Sequence, residues 1–398
     1  MTDKHITVDS IRWHSVLPWL HLLRAAQLAL RIRVLLLALA SVAVFSAGQM
    51  AIHRLPFHSS YGARPSVLEV LSSKSVDSPR FDLNPQRGIN SWWLAWPWIS
   101  TGRPGAELFF RPSQAPASSW STVATHWTDL FWSWLVWGIF GGAIVRMHAV
   151  RFARDESVSP LHAVRFTSRL WQSYLYAPLL PFLGAFALSA AGLIVGRADV
   201  WYAGGQGGVL LVMGWLPTLA SLAMAVLLLL ILASWPLMVA AISVEGSDGF
   251  DGLSRAFGYV MNRLWYFLFL VAIAFGVGLL TSYFVDWLFG MTFQLAEWSV
   301  GVRGVTSLDV WADFLKVLQL AVLGSYFWSA TTVIYFLLRQ SDDGTPLDQV
   351  YIPGPPPKAE PLPLVGVAAS QPAVGGVIER PATETVATGG SPVSPSDS

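Results

Sequence analysis

The sequence feature that most constrains this chain is an uncharged run: residues 200–244 contain no Asp, Glu, Lys or Arg. A bilayer core about 30 Å thick is crossed by about 20 apolar helical residues. The run of 45 residues is therefore long enough to cross a membrane and to continue beyond it. It ends at Glu245, where an acidic, glycine-rich segment begins. An apolar stretch of this length is typical of membrane proteins and not of soluble domains, so we predict a membrane-spanning segment here.

The composition predicts that the whole chain is a membrane protein, not a soluble protein with one anchor. Hydrophobic residues make up 54% of the chain and charged residues 12%, which is about half the charged fraction of soluble proteins. The sequence contains no Cys, which excludes disulfides, thiolate metal sites and cysteine nucleophiles. Backbone groups inside a bilayer must be hydrogen-bonded internally, and the apolar runs show no alternation, so we expect helices and not a barrel.

We predict six membrane-spanning helices, each containing about 20 or more mostly apolar residues. The predicted spans are 34–53, 129–149, 173–195, 208–235, 264–289 and 317–338. The expected fold class is therefore an all-α, polytopic membrane helix bundle. Many of the 20 Trp lie near the ends of these runs, as expected for side chains that favour the membrane–water interface.

Lys and Arg are distributed unevenly between the predicted loops. With the N-terminus inside, the inner segments up to Arg339 carry thirteen of these residues, and the two short outer loops carry three, Arg197, Arg303 and Lys316. The positive-inside rule therefore predicts that both termini lie in the cytoplasm. The long segment 54–128 carries seven more, but long loops cross a membrane largely regardless of their charge.

Residues 1–33 form the predicted cytoplasmic N-terminal segment. Its last part, LPWLHLLRAAQLALRIR, places Arg24, Arg31 and Arg33 at helical spacing among Leu and Ala. This pattern predicts a basic amphipathic helix on the inner membrane surface. We favour a role as a topology anchor, with recognition of anionic lipids as the alternative.

Two further segments lie outside the predicted spans. The outer segment 54–128 is rich in Pro and Ser and includes the Trp cluster SWWLAWPWI at 91–99. We favour docking of this cluster on the outer leaflet, with an aromatic platform for a sugar or a lipid as the alternative. The inner tail 339–398 is rich in Pro, Gly, Ala, Val and Ser from about 353, and we predict that this last part is disordered.

A short motif occurs twice near the inner end of span two. His148-Ala-Val-Arg151-Phe is repeated as His162-Ala-Val-Arg165-Phe, and Arg146 lies just before the first copy. One interpretation is a basic pocket for lipid phosphates or for an acidic partner helix. The other is a positively charged inner loop whose aromatic side chains cover the helix ends. We favour the second, because such loops are common to polytopic proteins.

The residues between the two copies predict a break in the helix. Ser159 is followed by Pro160, and Ser at the cap with Pro at the first helical position is a common helix start. We therefore predict one helix that ends near Ala153 and a second that begins at Pro160.

Gly138 and Gly142 of span two form a GxxxG pair. Such pairs let a second helix approach closely, so we predict a packing role. The pattern does not distinguish packing within the chain from dimerisation, and it leaves the oligomeric state open.

Asp286 is the clearest acidic residue within a predicted span. An acid in a membrane helix is a candidate functional residue. Because Asp286 lies near the outer end of span five, we predict structural pairing with Arg303, Arg197 or Lys316, and not a proton relay.

The segment after the uncharged run contains Glu245, Asp248 and Asp251, followed by Arg255. Asp251 and Arg255 have the spacing of an ion pair on one helix face, and Ser247 or Asp248 is a candidate helix cap. Three glycines in this stretch predict that a loop, not a regular helix, comes first. The spacing does not match a calcium loop, so we favour a salt-bridged elbow between two membrane helices over a metal or catalytic site.

Several classes of function lack support in the sequence. The predicted spans contain no central charged residue, whereas ion-coupled pumps use buried charges. The chain has no GxGxxG, GxxxxGK[ST], HExxH or GxSxG motif, each of which marks a class of soluble enzyme site. We therefore expect no cofactor, no bound metal and no nucleic-acid partner.

Three stretches together resemble an uncharacterised family of bacterial multi-pass inner-membrane proteins. They are GGAIVRMHAVRFARDE at 141–156, WPLMVAAISVEGSDGFDGLSRAFGYV at 235–260, and WSATTVIYFLLR at 328–339 followed by Asp342-Asp-Gly-Thr. The resemblance covers about spans two to six. It implies a location in the bacterial inner membrane and a multi-pass topology, but it assigns no activity and no catalytic residue.

The sequence as a whole favours a non-enzymatic scaffold or accessory membrane component. Its expected partners are the lipid bilayer and other membrane proteins. The first alternative is a passive transporter of lipids or small molecules, supported by prolines within the spans and by the Trp cluster. The second is a membrane enzyme that uses the acidic elbow at 245–255.

Overall fold

The computed structural model describes residues 17–52, 54–55, 120–300 and 306–351 of the chain. These residues form helices and short connections, and this part of the chain contains no strand. The Trp cluster at 91–99 and the tail from 353 lie outside the described residues. The predictions made for those two segments stay predictions.

The described helices are numbered here in chain order. After a 3-10 turn at Pro18–Leu20 they are α1 (His21–Ala29), α2 (Ile32–Ile52), α3 (Trp120–Val136), a π-helical turn (Trp137–Gly141), α4 (Gly142–Arg154), α5 (Pro160–Arg169), α6 (Trp171–Ala203), α7 (Gly208–Met213), α8 (Trp215–Glu245), α9 (Gly249–Asn262), α10 (Leu264–Val300) and α11 (Thr306–Asp343).

Within the described residues, six helical segments are long and apolar enough to cross a membrane. They are Ile32–Ile52, Trp127–Arg154, Trp171–Ala203, Trp215–Glu245, Leu264–Val300 and Val310–Asp343. The predicted all-α fold with six candidate spans is confirmed. These spans define a multi-pass membrane protein.

The predicted fourth span, 208–235, is wrong at both ends. Its first residues form the separate helix α7, and α8 then runs without interruption through Pro236 to Glu245. Proline inside a helix removes a hydrogen bond and costs about 3 kcal/mol. Here Leu237 and the residues that follow it are almost fully buried against other helices, and this packing keeps the helix intact.

Other helices are also longer than predicted: α6 ends at Ala203, α10 ends at Val300 and α11 begins at Thr306. Helix α3 begins at Trp120, within the segment predicted as outer loop. Helix α11 continues to Asp343, within the segment predicted as tail. Both extensions continue an apolar helix into polar sequence, where hydropathy alone makes the helix too short.

Helix α11 lies at the centre of the bundle. Its most apolar window is 100% buried, compared with 22% for α6 and 28% for α10. It packs against α1, α2, α4, α8 and α10. Burial inside the protein therefore does not follow hydropathy, since α11 is less apolar than either of the two exposed helices.

Three spans end at the same place, which we call the charged end of the bundle. There α4, α8 and α11 reach their last residues, Arg154, Glu245 and Asp343, and α2 begins at Ile32. The short helices α5 and α9 make the connections at this end.

The predicted amphipathic helix near the N-terminus is present as α1, but its environment differs from the prediction. Leu22, Ala25 and Ala29 on its apolar face are fully buried, and α1 packs against α11. The Ser325 hydroxyl of α11 donates a hydrogen bond to the Ala29 carbonyl at 2.9 Å. These three residues of α1 therefore contact protein, whereas Leu23 on the same helix is 49% exposed.

Candidate functional site

The candidate site is built around Glu245, the last residue of α8, at the charged end. Helix α8 ends there because Gly246 adopts a left-handed conformation, with φ of 66°, that residues with a Cβ rarely adopt. The Glu245 side chain is only 13% exposed. A carboxylate this buried requires hydrogen-bond donors or positive charges around it.

Donors from two other helices surround Glu245. Arg255 of α9 places Nη1 2.8 Å from Oε2. On α11, the Tyr335 hydroxyl donates to Oε1, and Arg339 Nε lies 3.4 Å from the same oxygen. One carboxylate therefore joins α8, α9 and α11. We call Glu245, Arg255, Tyr335 and Arg339 the Glu245 cluster.

Arg146 of α4 lies beside this cluster and is 4% exposed. Its Nη1 donates to the carbonyl oxygens of Ser243 and Val244, both at 3.2 Å, and its Nη2 donates to the Tyr351 carbonyl. The guanidinium also stacks on the Phe166 ring, 4.5 Å from its centre. The last carbonyls of a helix lack partners within the helix and carry a partial negative charge, so Arg146 satisfies the end of α8.

The residues after α11 fold back over the charged end; we call residues 344–351 the strap. The Tyr351 amide donates to the Val244 carbonyl at 3.1 Å, and Arg339 Nη1 donates to the Gln349 carbonyl at 2.9 Å. Val350 is 7% exposed. The strap borders a polar cavity of about 490 Å³ that Arg154, Glu245 and Arg339 also line.

The acidic elbow begins with a short loop at residues 246–248, as predicted, and a regular helix starts at Gly249, so two of the three glycines lie in helix and not in the loop. Asp248 caps this helix, because its Oδ1 accepts from the Asp251 amide at 2.8 Å. The glycines permit close packing. A Cβ at Gly249 would lie 2.7 Å from the Ser173 carbonyl oxygen, and one at Gly252 would lie 2.6 Å from the Ile242 side chain.

Asp251 and Arg255 form the predicted ion pair, with Arg255 Nε 3.0 Å from Asp251 Oδ1. Burial alone lowers the pKa of Arg255. The hydrogen bond to Asp251 and the charges of Glu245 and Asp251 outweigh that effect and raise the pKa above its ordinary value. Arg255 is therefore a permanent cation held between two carboxylates.

A second set of contacts joins the far end of α9 to the end of α11. The Tyr259 hydroxyl donates to the Asp343 carboxylate, and Arg263 Nε lies 3.6 Å from Asp342. Burial, followed by the hydrogen bond to Asp343, raises the pKa of Tyr259. Helix α9 is thus attached to α11 along its length.

The two copies of the repeated motif have different environments. His148 is 1% exposed, and its Nδ1 lies 3.0 Å from the Ser329 hydroxyl of α11, whereas His162 is exposed. Arg165 is also exposed. Arg151 pairs with Asp155 at 3.0 Å. The first copy is therefore part of the bundle, and the second lies on its surface.

The predicted helix break between the copies is present. Helix α4 ends at Arg154, and α5 begins at Pro160. The Ser159 side chain caps α5 by accepting from the His162 amide at 3.3 Å. The local Ser-Pro signal was sufficient to place this start.

Gly138 and Gly142 pack against helices of the same chain. A Cβ at Gly138 would lie 2.7 Å from the Tyr174 side chain of α6, and one at Gly142 would lie 2.7 Å from Ser243 Oγ of α8. The hydroxyls of Tyr174 and Ser243 lie 2.8 Å apart, within hydrogen-bond distance. The GxxxG pair therefore lets α4 approach both α6 and α8.

Asp286 of α10 accepts a hydrogen bond from the Gln319 amide of α11. Among its predicted partners, Lys316 lies 3.6 Å from Asp313, and Arg303 lies outside the described residues. Gln319 was missed because a neutral amide gives no charge signal in the sequence.

The structure brings together Arg146, Glu245, Asp251 and Arg255 among the predicted site residues, with Asp248 at the cap of α9. It places His148, Arg151, Arg165 and Asp286 elsewhere. The sequence interpretation assigned no role to Tyr335, Arg339 or the strap. Tyr335 and Arg339 are four residues apart in the last turns of span six. This spacing places both side chains on one face of the helix, and it is the feature of the sequence that could have indicated their shared role.

No group of three or more His, Asp or Glu able to hold a metal ion occurs within the described residues. No protein-family model matches the chain, and no curated protein and no solved structure matches it either.

Proposed function

We propose that this protein is a non-enzymatic scaffold or accessory component of the bacterial inner membrane, with the charged end in the cytoplasm. The observation that carries the proposal is the Glu245 cluster, in which one largely buried carboxylate pairs with Arg255 of α9 and accepts a hydrogen bond from Tyr335 of α11. A catalytic acid or base must be within reach of a substrate proton. Glu245 lines a cavity, but both of its oxygens already have partners on α9 and α11, and this pairing of three helices suits a rigid framework.

The orientation and the location rest on the sequence. Up to Arg339, thirteen Lys and Arg fall on the proposed inner side, compared with three in the short outer loops, which supports a cytoplasmic charged end. The resemblance to bacterial multi-pass inner-membrane proteins supports the location. The proposed partners are other membrane proteins that use the charged end as a docking framework.

Recovery of the protein from its native membrane tests the scaffold role. The tagged chain, at its native expression level, is purified in a mild detergent and its mass is measured. We expect a second membrane protein at a fixed ratio, and we expect Glu245→Ala to lose it. Asp155→Asn, which alters an exposed ion pair at the same end, serves as the matched control. Recovery of the chain strictly alone would contradict the proposal.

The absence of Cys permits a clean test of orientation. Arg165→Cys introduces a thiol at an exposed position of α5. A membrane-impermeant maleimide is expected to label it only after the cells are opened. Labelling in intact cells, with the outer membrane permeabilised, would place the charged end outside.

A further inference from the structure

A second cavity at the charged end, separate from the Glu245 cluster, has a different chemistry. It lies between the start of α2, the last turns of α4 and the link to α5, and its volume is about 350 Å³. Arg31, Arg33 and Arg151 line it together with His148, and no carboxylate belongs to the lining. Three arginines therefore border a cavity whose wall is mostly apolar.

Two of the three arginines are available to a ligand. Arg31 and Arg33 are exposed, and in the part of the chain that the structure describes neither has a carboxylate partner within ion-pair distance. Arg151 shares its charge with Asp155, whose side chain is 87% exposed. A guanidinium group without a carboxylate partner attracts an anion from its surroundings.

The other side of the cavity is apolar. Ile32, Val34, Met147 and Val158 line it, and Ile32 is 73% exposed on the outside of the bundle. Leu36, one helical turn further along α2, is 60% exposed and lies on the same helix face as Ile32. An apolar stripe therefore leads from the cavity along the membrane-spanning part of α2.

The position of the cavity fits the interface between hydrocarbon and headgroups. It lies where span α2 begins, and the first turn of a helix carries a partial positive charge. A ligand at this position meets cations at one end and a lipid-facing apolar stripe at the other. An amphiphile with a phosphate and acyl chains would contact both the cations and the apolar stripe, whereas an acidic peptide would contact the cations and leave the stripe uncovered.

We propose that this cavity binds the phosphate of an anionic phospholipid, with Arg31 and Arg33 as the phosphate-binding side chains and with the acyl chains lying along Ile32 and Leu36. Planar guanidinium groups bind phosphate oxygens with two hydrogen bonds at once. Arg151 adds charge at the rim, and His148 forms part of the wall while it remains bonded to Ser329. The proposal does not depend on the scaffold role.

Lipid titration of the full chain in detergent, followed by native mass spectrometry, tests this site. The probes are phosphatidylglycerol and phosphatidylcholine with identical acyl chains. We expect one phosphatidylglycerol to bind in preference to phosphatidylcholine, and we expect Arg31→Ala with Arg33→Ala to weaken that binding by about tenfold, the effect of losing charge-assisted hydrogen bonds. Equal binding of the two lipids would overturn the proposal.

The matched control is Arg165→Ala with Arg169→Ala, which removes two exposed arginines from α5 at the same end but outside the cavity. We expect it to leave lipid binding unchanged, and an equal loss would show that only net charge matters. Arg31→Lys with Arg33→Lys keeps the charge and the fold and is expected to bind less tightly than the parent. Unchanged binding in the Lys variant would overturn the assigned guanidinium contacts.

Two competition arms identify the source of the phosphate. Inorganic phosphate and glycerol phosphate are added at the concentration of the lipid, and neither is expected to displace it. Displacement by either would make a soluble phosphate the ligand. Displacement by an acidic peptide, with no preference between the two lipids, would make the cavity a protein-docking site.

Discussion

The two halves of α8 have the same uncharged composition but opposite environments. Near the charged end, residues 235–244 are almost completely buried. In the other half, Leu219, Leu222, Val226 and Leu229 are each more than half exposed. Hydropathy therefore does not determine which half packs against protein.

The difference between the halves follows from the absence of a hydrophobic driving force between helices in lipid. Association there depends on close packing and on polar contacts. The buried half of α8 has both, with Ser243 beside Tyr174 and Gly142, and Glu245 joined to Arg255. The exposed half contacts α6 through Pro217 and Leu227, but its exposed leucines are left for lipid.

Of the changes that test this comparison, removal of the Glu245 carboxylate is expected to lower the stability of the protein most. Glu245→Ala leaves Arg339, which is 10% exposed, without its counter-ion. Loss of one partner of a buried ion pair costs about 3–5 kcal/mol. The free energy of unfolding, measured in a denaturing detergent, is expected to fall by that amount. Leu222→Ala, in the exposed half of α8, is the control and is expected to change stability by less than about 1 kcal/mol.

Closing the space at Gly142 is expected to have the next largest effect. Gly142→Ala places a Cβ 2.7 Å from both Ser243 Oγ and Tyr174 Oη, and overpacking of this kind costs about 1–3 kcal/mol. Gly276→Ala on α10, where no atom lies within 4 Å of the added Cβ, is expected to be neutral or stabilising. Equal melting temperatures for the two variants would contradict the close approach of α4 to α8.

Removal of the cap of α9 is expected to have an intermediate effect. Asp248→Ala takes away the acceptor for the Asp251 amide, and loss of a cap costs about 1 kcal/mol. Asp248→Asn and Asp248→Ser keep an acceptor and are expected to retain most of the stability. Faster hydrogen exchange in the first turn of α9, in the Ala variant alone, would show the effect directly.

The exposed pair of Arg151 and Asp155 is expected to matter least. Asp155 is 87% exposed, and exposed ion pairs contribute about 0–1 kcal/mol. Asp155→Asn is therefore expected to melt within experimental error of the parent at moderate salt. A loss comparable to that of Glu245→Ala would remove the distinction drawn here between buried and exposed charges.

Local features of the fold were predictable from the sequence, and long-range partners were not. The caps at Ser159 and Asp248 and the pair Asp251–Arg255 follow from residues a few positions apart. The contacts of Arg146 with Ser243 and Val244 join residues 97 and 98 positions apart, and nothing in the sequence selects those carbonyls. The same limit explains why Gln319 and the strap were missed.

The glycines of the elbow illustrate the second limit. By propensity they predict a loop, yet Gly249 and Gly252 lie in α9 because α6 and α8 approach within contact of their Cα atoms. A glycine that breaks a helix and a glycine that permits packing are identical in a single sequence. Tertiary contact decides between the two outcomes.

The central claim is that Glu245 holds α9 and α11 together at the charged end. Since the chain has no Cys, spin labels can be attached at Phe250→Cys on α9 and Gln340→Cys on α11, both exposed positions. Double electron–electron resonance in nanodiscs then measures the distance between the labels. We predict a single narrow distribution in the labelled parent and a wider one when Glu245→Ala is added, because Phe250 lies at the end of α9 opposite to Tyr259 and Arg263, whose contacts with α11 remain. An unchanged narrow distribution in that variant would contradict the claim.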